Sequence, residues 1–246
     1  PQKPEVWKFY ASVFNELKDI FPSGIVHLGG DEAPTEVWEK CPLCREARTR
    51  AAMKDEQEQM KAFFATTAAL LAKHGQTPQF SYEGNAGIYH PGETVYAWRQ
   101  GQALQSIEKT KKAGLNLIMA SSEYCYLDFP QIQGQRNWGW MKTTTLQKCY
   151  ELDPAFGKPE KEAGHIRGVH APVWAERLPD LNHLLYRAYP RACAIAEAGW
   201  SPMGVRSWEN FRRKLADHRQ FILKRFNYDM ERTQGNEPAF RWENNK

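Results

Sequence analysis

Ile25-Val26-His27-Leu28-Gly29-Gly30-Asp31-Glu32 is the stretch of sequence from which the fold class can be read. Its first four residues favour β structure and predict a short strand, which the two glycines end just before two acidic residues. Immediately upstream, apolar side chains recur at three- and four-residue steps over 4–20 and predict a helix. A strand that follows a helix and ends in a loop with two carboxylates is typical of a parallel α/β fold, in which reactive groups gather at the carboxyl ends of strands.

The alternation of helix and strand continues along the chain. The other predicted strands are 78–82, 94–98, 115–120 and 166–174, and the other predicted helices are 55–74, 102–113, 181–198 and 207–226. Polar residues after Glu32 predict a cysteine-containing loop, and residues 121–165 predict a long loop rich in Trp, Tyr and Gly. A closed (β/α)8 barrel needs eight strands, so these five indicate either an open sheet or part of a barrel whose first units lie elsewhere.

The composition narrows the class of protein. The chain has 246 residues, of which 41% are hydrophobic and 25% charged, with a formal net charge of +4. These values are typical of one large or two small globular domains and exclude a disordered or fibrous chain. Basic residues are scattered among acidic ones, which disfavours a nucleic-acid partner, and no apolar run of about eighteen residues predicts a membrane span. The first residues lack a signal-peptide pattern, which leaves the compartment open.

The five cysteines do not form a recognisable framework. Their odd number in a chain of this length argues against a disulfide scaffold. Cys41-Pro-Leu-Cys44 is a single CxxC motif without a second pair of ligands, so a zinc site has little support. A loop disulfide or two free thiols are the alternatives left open.

Asp31 and Glu32 are the first candidates for chemistry. Adjacent side chains reach one pocket only where a strand has given way to a loop, as it does after the two glycines. Two carboxyl groups in one desolvated pocket cannot ionise equally easily, so one is expected to keep a proton near neutrality and act as an acid. The alternative is structural: an Asp-Glu pair before Ala-Pro also suits the N-terminal turn of a helix.

The later strand ends favour the chemical interpretation. Each carries an aromatic residue, most with a carboxylate nearby: Tyr82-Glu83, Trp98, Tyr126-Leu127-Asp128 and Trp174-Ala175-Glu176. An aromatic-walled, acid-lined pocket suits a neutral hydroxylated ligand such as a sugar. Phosphate-binding, dinucleotide and serine-hydrolase motifs do not occur.

In this order the motifs resemble family-20 glycoside hydrolases, the β-N-acetylhexosaminidases. His27 to Glu32 is similar to the family signature, and the resemblance extends over residues 4–215. The later matching elements are Val95-Tyr96-Ala97-Trp98-Arg99, Tyr126-Leu127-Asp128, Val173-Trp174-Ala175-Glu176, Arg191 and Ala196-Glu197-Ala198-Gly199-Trp200-Ser201.

The resemblance implies a retaining reaction in which the 2-acetamido oxygen of the substrate is the nucleophile, without metal or cofactor. Glu32 would be the general acid and then the base, Asp31 would orient the acetamido N–H, and Tyr126 would bind the acetamido oxygen. The other implied roles are a wall around the acetamido methyl group from Trp98, Trp140 and Trp174, and hydrogen bonds from sugar hydroxyls to Asp128 and Glu176. Tyr82 would be a wall residue in place of the family's usual Trp.

The resemblance also implies that the chain carries only about strands 4 to 8 of a (β/α)8 TIM barrel. Residues 1–215 would be the barrel portion, and 216–246 the end of the last helix and a polar tail. We therefore expect a missing N-terminal barrel segment or a processed partner chain, an N-acetylhexosamine-containing glycan as substrate, and an extracytoplasmic location. The rival hypotheses are a carbohydrate-binding barrel fragment without turnover and a purely structural α/β domain.

Overall fold

The structure, a computed structural model, describes residues 3–135 and 139–226. Within them a five-stranded sheet has the order β1-β2-β3-β4-β5, so each strand neighbours the next in sequence. The strands are β1 (Ile25–His27), β2 (Thr77–Tyr82), β3 (Thr94–Ala97), β4 (Asn116–Met119) and β5 (Ile166–Val169). The helices are α1 (Pro4–Ile20), α2 (Glu36–Lys40), α3 (Pro42–Arg50), α4 (Glu56–Lys73), α5 (Ala103–Lys112), α6 (Ser122–Cys125), α7 (Leu146–Tyr150), α8 (Glu160–Ala163), α9 (Leu181–Ala188), α10 (Arg191–Trp200) and α11 (Trp208–Phe226).

The first three strands pair in parallel. Ile25 lies opposite Thr77 in the β1–β2 pair, and Gln79 lies opposite Thr94 in the β2–β3 pair. Parallel neighbours need a crossover connection, and α2, α3 and α4 lie in the connection from β1 to β2. The carboxyl ends of these strands therefore face the same edge of the sheet.

The chain packs as two compact units. The first comprises the described residues within Pro1–Ala97, Gln105–Ile118 and Lys161–His165. The second comprises those within Trp98–Leu104, Met119–Glu160 and Ile166–Lys246.

Aromatic packing between α4 and β2 forms the core of the first unit. Phe64 of α4 lies 4.8 Å from Phe80 of β2, measured between ring centroids. Both rings contact Tyr89, at 5.8 and 5.6 Å. The N-terminus of α4 is capped by Asp55, whose carboxylate accepts the Glu58 N–H at 2.9 Å. The cap and the apolar face together fix α4 against the sheet.

A buried cation lies among the core residues of the second unit. Arg191, the first residue of α10, is 0% exposed, as are Tyr186 of α9 and the ring of Phe129. Behind them Tyr150 packs on Phe211 of α11 at 4.8 Å. The core of this unit thus holds α9, α10 and α11 to the segment that follows α6.

The structure confirms the five predicted strands and corrects several bounds. The helix predicted over 181–198 is two helices, because the ring of Pro190 cannot continue α9. The strand predicted over 166–174 ends at Val169, since Pro172 cannot donate to a strand ladder. The cysteine-containing loop forms α2 and α3, and the predicted loop over 121–165 contains α6, α7 and α8.

The predicted boundary at residue 215 falls inside α11 and stays a prediction. The polar tail lies mostly outside the described residues, which end at 226. Among the described residues, none of the helices has the length and apolar character needed to span a bilayer.

Candidate active site

The turn after β1, residues 29–32, has an unusual backbone, and we call it the acidic turn. Gly29, Gly30 and Glu32 have φ values of 66°, 101° and 51°. A positive φ is ordinary for glycine but costs free energy for a glutamate, and such residues concentrate at functional sites. The turn is held by two hydrogen bonds at Gly29: its carbonyl accepts the Ser81 N–H at 2.9 Å, and its N–H donates to His27 Nδ1 at 3.2 Å.

The helix N-terminus interpretation of the Asp-Glu pair is wrong. The next helix, α2, begins at Glu36 and takes Thr35 as its N-terminal flanking residue. Asp31 and Glu32 lie in a bend before it, Asp31 half-buried and Glu32 exposed. Neither Asp31 nor Glu32 therefore caps α2.

Phe64 lies directly beneath the acidic turn. A Cβ atom at Gly30 would stand 2.4 Å from Phe64 Cζ, closer than any real contact. Glycine at this position is thus required by both the backbone conformation and the close approach of the ring. The buried aromatic core of the first unit supports the turn that carries the two carboxylates.

Tyr82 and Tyr89 lie behind this support. The Tyr89 hydroxyl donates to the Ser81 carbonyl at 2.5 Å. The pKa of Tyr89 is raised by burial first, with further contributions from the charges of Glu83 and Asp31. Tyr82 is 2% exposed, and burial raises its pKa to about 12. The Tyr82 hydroxyl has no hydrogen-bond partner among the described residues.

The second unit gathers the other aromatic candidates around Tyr126. Tyr126 stacks with Trp98 at 6.4 Å and 16° and meets Trp174 at 6.2 Å and 60°. It also contacts Phe129 edge-on at 5.4 Å, and Phe129 contacts Trp140 at 5.5 Å. We call these five residues the Tyr126 cluster. Tyr126 is 5% exposed, whereas Trp174 and Trp140 are 46% and 64% exposed, so the cluster has a buried centre and an open side.

Asp128 and Glu176 differ in environment. Burial raises the pKa of Asp128 to about 6; the backbone N–H of Trp174 and the charge of Arg191 oppose this, and the charge of Glu176 adds to it. Asp128 Oδ1 is buried with no hydrogen-bond partner among the residues described. Glu176 is exposed, in the 3-10 turn Ala175–Arg177 that follows β5. Asp128 is therefore a poorly solvated acceptor and Glu176 a solvated one.

Arg191 holds the backbone on which Tyr126 and Asp128 are mounted. Its guanidinium donates to the carbonyl of Leu127, between those two residues, and to the carbonyls of Thr144 at 2.9 Å and Arg187 at 2.6 Å. Burial lowers the pKa of Arg191 to about 10, which still leaves it protonated at neutral pH. One cation thus ties the segment after α6 to Thr144, which lies just before α7, and to α9.

Within the second unit, the structure brings four of the predicted site residues together. Trp98, Trp174 and Tyr126 are in contact, and Trp140 joins them through Phe129. Asp31, Glu32 and Tyr82 belong to the first unit. Sequence reasoning missed Phe129 and Phe64, which carry no chemical group that marks a site, and it treated Arg191 only as part of a helix. The available signal for a buried arginine was its position directly after Pro190, at the start of the apolar segment Ala192–Ala196.

Among the described residues, His, Cys, Asp and Glu do not form a group of three or more that could hold a metal ion.

Comparison with known proteins identifies the relatives of this chain. A profile described as the catalytic domain of glycosyl hydrolase family 20 matches residues 1–203. A beta-hexosaminidase of Akkermansia muciniphila is 98% identical over 246 residues, which are all of this chain and 50% of that protein. A crystal structure of a beta-N-acetylhexosaminidase is 98% identical with a TM-score of 0.95, covering 99% of this chain and 52% of its own. The Streptomyces plicatus N-acetyl-beta-hexosaminidase in complex with Thio-NAglucal is 27% identical with a TM-score of 0.69, covering 89% and 41%.

The chain therefore spans about half the length of the relatives it matches. Their solved structures are TIM barrels, so the predicted α/β class and the assignment to part of a (β/α)8 barrel are confirmed.

Proposed function

The chain belongs to glycosyl hydrolase family 20, and from this premise we propose that it is the part of a β-N-acetylhexosaminidase that carries the catalytic acid. The reaction is removal of terminal β-linked N-acetylglucosamine or N-acetylgalactosamine with retention of configuration. The acidic turn is the observation that carries this proposal. A glutamate held at positive φ, two residues after a glycine that packs on a buried ring, is in a strained conformation of the kind that concentrates at functional sites.

Glu32 is the proton donor in the proposed reaction. As the C1–oxygen bond of the glycoside breaks, Glu32 gives its proton to the departing oxygen and the acetamido oxygen of the same sugar bonds to C1. Water then attacks C1 of the resulting oxazolinium ion, the bond between C1 and the acetamido oxygen breaks, and the Glu32 carboxylate takes the proton that the water loses. Asp31 accepts the acetamido N–H and offsets the positive charge of the ring, which is why its partner carboxylate can be adjacent in sequence.

The Tyr126 cluster supplies the proposed binding wall. Tyr126 donates its hydroxyl to the acetamido oxygen, and Trp98, Trp140 and Trp174 enclose the acetamido methyl group, which favours a near-attack geometry. Asp128 and Glu176 accept hydrogen bonds from sugar hydroxyls. Tyr82 is proposed as a further wall residue, although its burial and its contact with Tyr89 at 6.2 Å give it little surface to offer.

Two further proposals concern the whole protein. The half-length coverage of the relatives supports additional barrel strands, supplied by the same polypeptide or by a partner chain. We also propose an extracytoplasmic location from the family resemblance, and fractionation of the source cells followed by immunodetection tests it.

Hydrolysis of paired aryl glycosides tests the proposed reaction. A form of the protein as long as its relatives is assayed on an aryl β-N-acetylglucosaminide and on the matching aryl β-glucoside, which lacks the acetamido group. We expect turnover of the first and at least about a hundredfold less of the second, because only the first carries the nucleophile. Equal turnover of both would contradict the substrate-assisted mechanism.

Calorimetry separates an enzyme from a carbohydrate-binding protein. A thiazoline mimic of the oxazolinium intermediate is expected to bind at least about a hundredfold more tightly than N-acetylglucosamine, as transition-state mimics do. Equal affinity together with no hydrolysis would support binding without turnover.

A further inference from the structure

We propose that Cys41 and Cys44 are a redox-active dithiol pair that closes to a disulfide between α2 and α3. Cys41 is the residue at which α2 ends and from which α3 begins, so both helices meet at its backbone. Cys44 lies in the first turn of α3 and is 5% exposed, whereas Cys41 is half-buried. Both are free thiols in a CxxC motif at the N-terminus of α3, with Cys41 as its N-terminal flanking residue and Cys44 as its third residue.

The two thiols differ in a way that assigns each a role. The pKa of Cys41 is lowered, first by the backbone N–H of Cys44 and then by the Cys44 side chain. The pKa of Cys44 is raised, first by burial. Cys41 is also the more exposed of the two thiols, so an external disulfide reaches it first. Because the thiolate is the attacking form, Cys41 is the nucleophile and Cys44 the thiol that closes the bond.

The other cysteines show that this arrangement is local. Burial raises the pKa of Cys125, Cys149 and Cys193. Cys125 and Cys149 are 0% exposed, so an external disulfide cannot reach them. Cys193 is half-buried like Cys41 and serves as the matched comparison.

The surroundings hold Cys44 in place. Its carbonyl accepts from Gln59 Nε2 of α4 at 3.4 Å. One turn further along α3, Arg48 donates to Gln59 Oε1 at 3.2 Å and pairs with Glu56 at 2.9 Å. A disulfide would therefore link Cys41, where α2 and α3 meet, to α3, which its contacts with α4 already hold in place. The other end of α2 begins at Glu36, four residues after Glu32.

The proposed chemistry is thiol–disulfide exchange with glutathione disulfide or a protein disulfide as the oxidant. The Cys41 thiolate attacks one sulfur of that disulfide, a mixed disulfide forms, and one thiolate leaves. The Cys44 thiol then loses its proton to solvent and attacks the Cys41 sulfur, which releases the second thiolate. The pair gives up two electrons, and the external disulfide becomes two thiols.

Alkylation and peptide mass spectrometry test the pair in the full-length protein. The protein is equilibrated in reduced or oxidised glutathione, quenched with N-ethylmaleimide in denaturant and digested with trypsin, which places both cysteines in peptide 41–45. In oxidised glutathione we expect this peptide to lose two hydrogens and both labels, and dithiothreitol to restore them. Full labelling of both cysteines in oxidised glutathione would overturn the proposal.

Single substitutions test the assigned order. We expect Cys44→Ser to trap glutathione on Cys41 and Cys41→Ser to leave Cys44 unmodified, while Cys193→Ser changes nothing. An adduct on Cys44 instead would overturn the assignment. Because Cys44 is buried and its variant can lose stability, wild-type kinetics give a second measurement: Cys41 is expected to react with iodoacetamide at least about tenfold faster than Cys193 at neutral pH. Equal rates would contradict the lowered pKa on which the order depends.

Discussion

The acidic turn and the Tyr126 cluster are built by different means. The turn is defined by its backbone, with positive φ at Gly29, Gly30 and Glu32, and its glutamate is exposed. The cluster is defined by side chains, with Tyr126 buried among rings and the main chain beside it held by Arg191. A proton donor needs a rigid backbone and access to its substrate. A binding wall needs rings that do not move and a centre from which water is excluded. Each construction suits the role proposed for it.

Substitution of the acid is expected to have the largest effect on activity. In Glu32→Gln the side-chain amide cannot donate the proton, and we expect kcat/KM to fall about 10²- to 10⁴-fold with stability unchanged. Hydrolysis of a natural disaccharide measures this best, because its leaving group needs protonation. Glu36→Gln, in the first turn of α2, is the control. Full activity of Glu32→Gln would exclude Glu32 as the acid.

Removal of the buried cation should disturb the cluster and spare the turn. Arg191→Met leaves three buried carbonyls without their donor, and we expect a loss of about 2–4 kcal/mol in unfolding free energy together with a raised KM. Arg206→Met is the matched control, since Arg206 donates to the carbonyls of Tyr150 and Leu152 at 2.9 and 2.8 Å. Denaturant titration and KM are measured for both. A KM raised equally in both variants would show that Arg191 has no specific effect on the cluster.

A larger side chain at Gly30 should disturb the acidic turn and spare the Tyr126 cluster. Gly30→Ala places a methyl group against Phe64 and forces alanine to a φ of 101°, so we expect a loss of about 1–3 kcal/mol and reduced kcat. Gly92→Ala has a similar φ of 89° but open space around the new atom, and it isolates the backbone cost of about 1 kcal/mol. Equal losses of unfolding free energy in the two variants would mean that Phe64 moves aside from the new methyl group at no measurable cost.

The titration of Asp128 changes the unfolding free energy only within a limited pH range. Burial raises its folded-state pKa from 3.8 to about 6, so the folded protein holds this proton more tightly than the unfolded chain. Its contribution is fully present below pH 3.8 and is lost as the pH rises through about 6. Between these values the unfolding free energy should fall by up to about 1.4 kcal/mol per pH unit, and Asp128→Asn should remove that part of the slope. An unchanged slope in Asp128→Asn would contradict the raised pKa.

Much of the architecture could be predicted because it rests on local signals. The apolar periodicity of 4–20 and the Gly-Gly end of β1 are properties of neighbouring residues, and both predictions are confirmed. The break at Pro190 and the short β5 depended on how proline acts in a particular element, which periodicity alone does not reveal. The α2–α3 segment was read as loop because its residues are polar, and its order comes from contacts with α4.

The sequence allowed the chemical residues of the candidate site to be predicted. It did not reveal the residues that hold them in place. Asp31, Tyr126 and Trp174 stand out because carboxylates and aromatic rings follow strands. Phe64 beneath Gly30 and Arg191 beside Leu127 are distant in sequence from what they hold, at separations that no local pattern encodes. The left-handed conformation of Glu32 was equally invisible, since the residue type disfavours it.

The sequence separation between Arg191 and its partner carbonyls has a consequence for the order in which the site is synthesised. Its partner carbonyls at Leu127 and Thr144 precede it by 64 and 47 residues. A ribosome adding about 5–20 residues per second needs roughly 3–13 s to travel from Leu127 to Arg191. During that interval the segment after α6, which bears Tyr126, has left the peptidyl-transferase centre without the cation that fixes it. The nascent chain therefore holds all the residues of its acidic turn well before it holds the cation that fixes its aromatic wall.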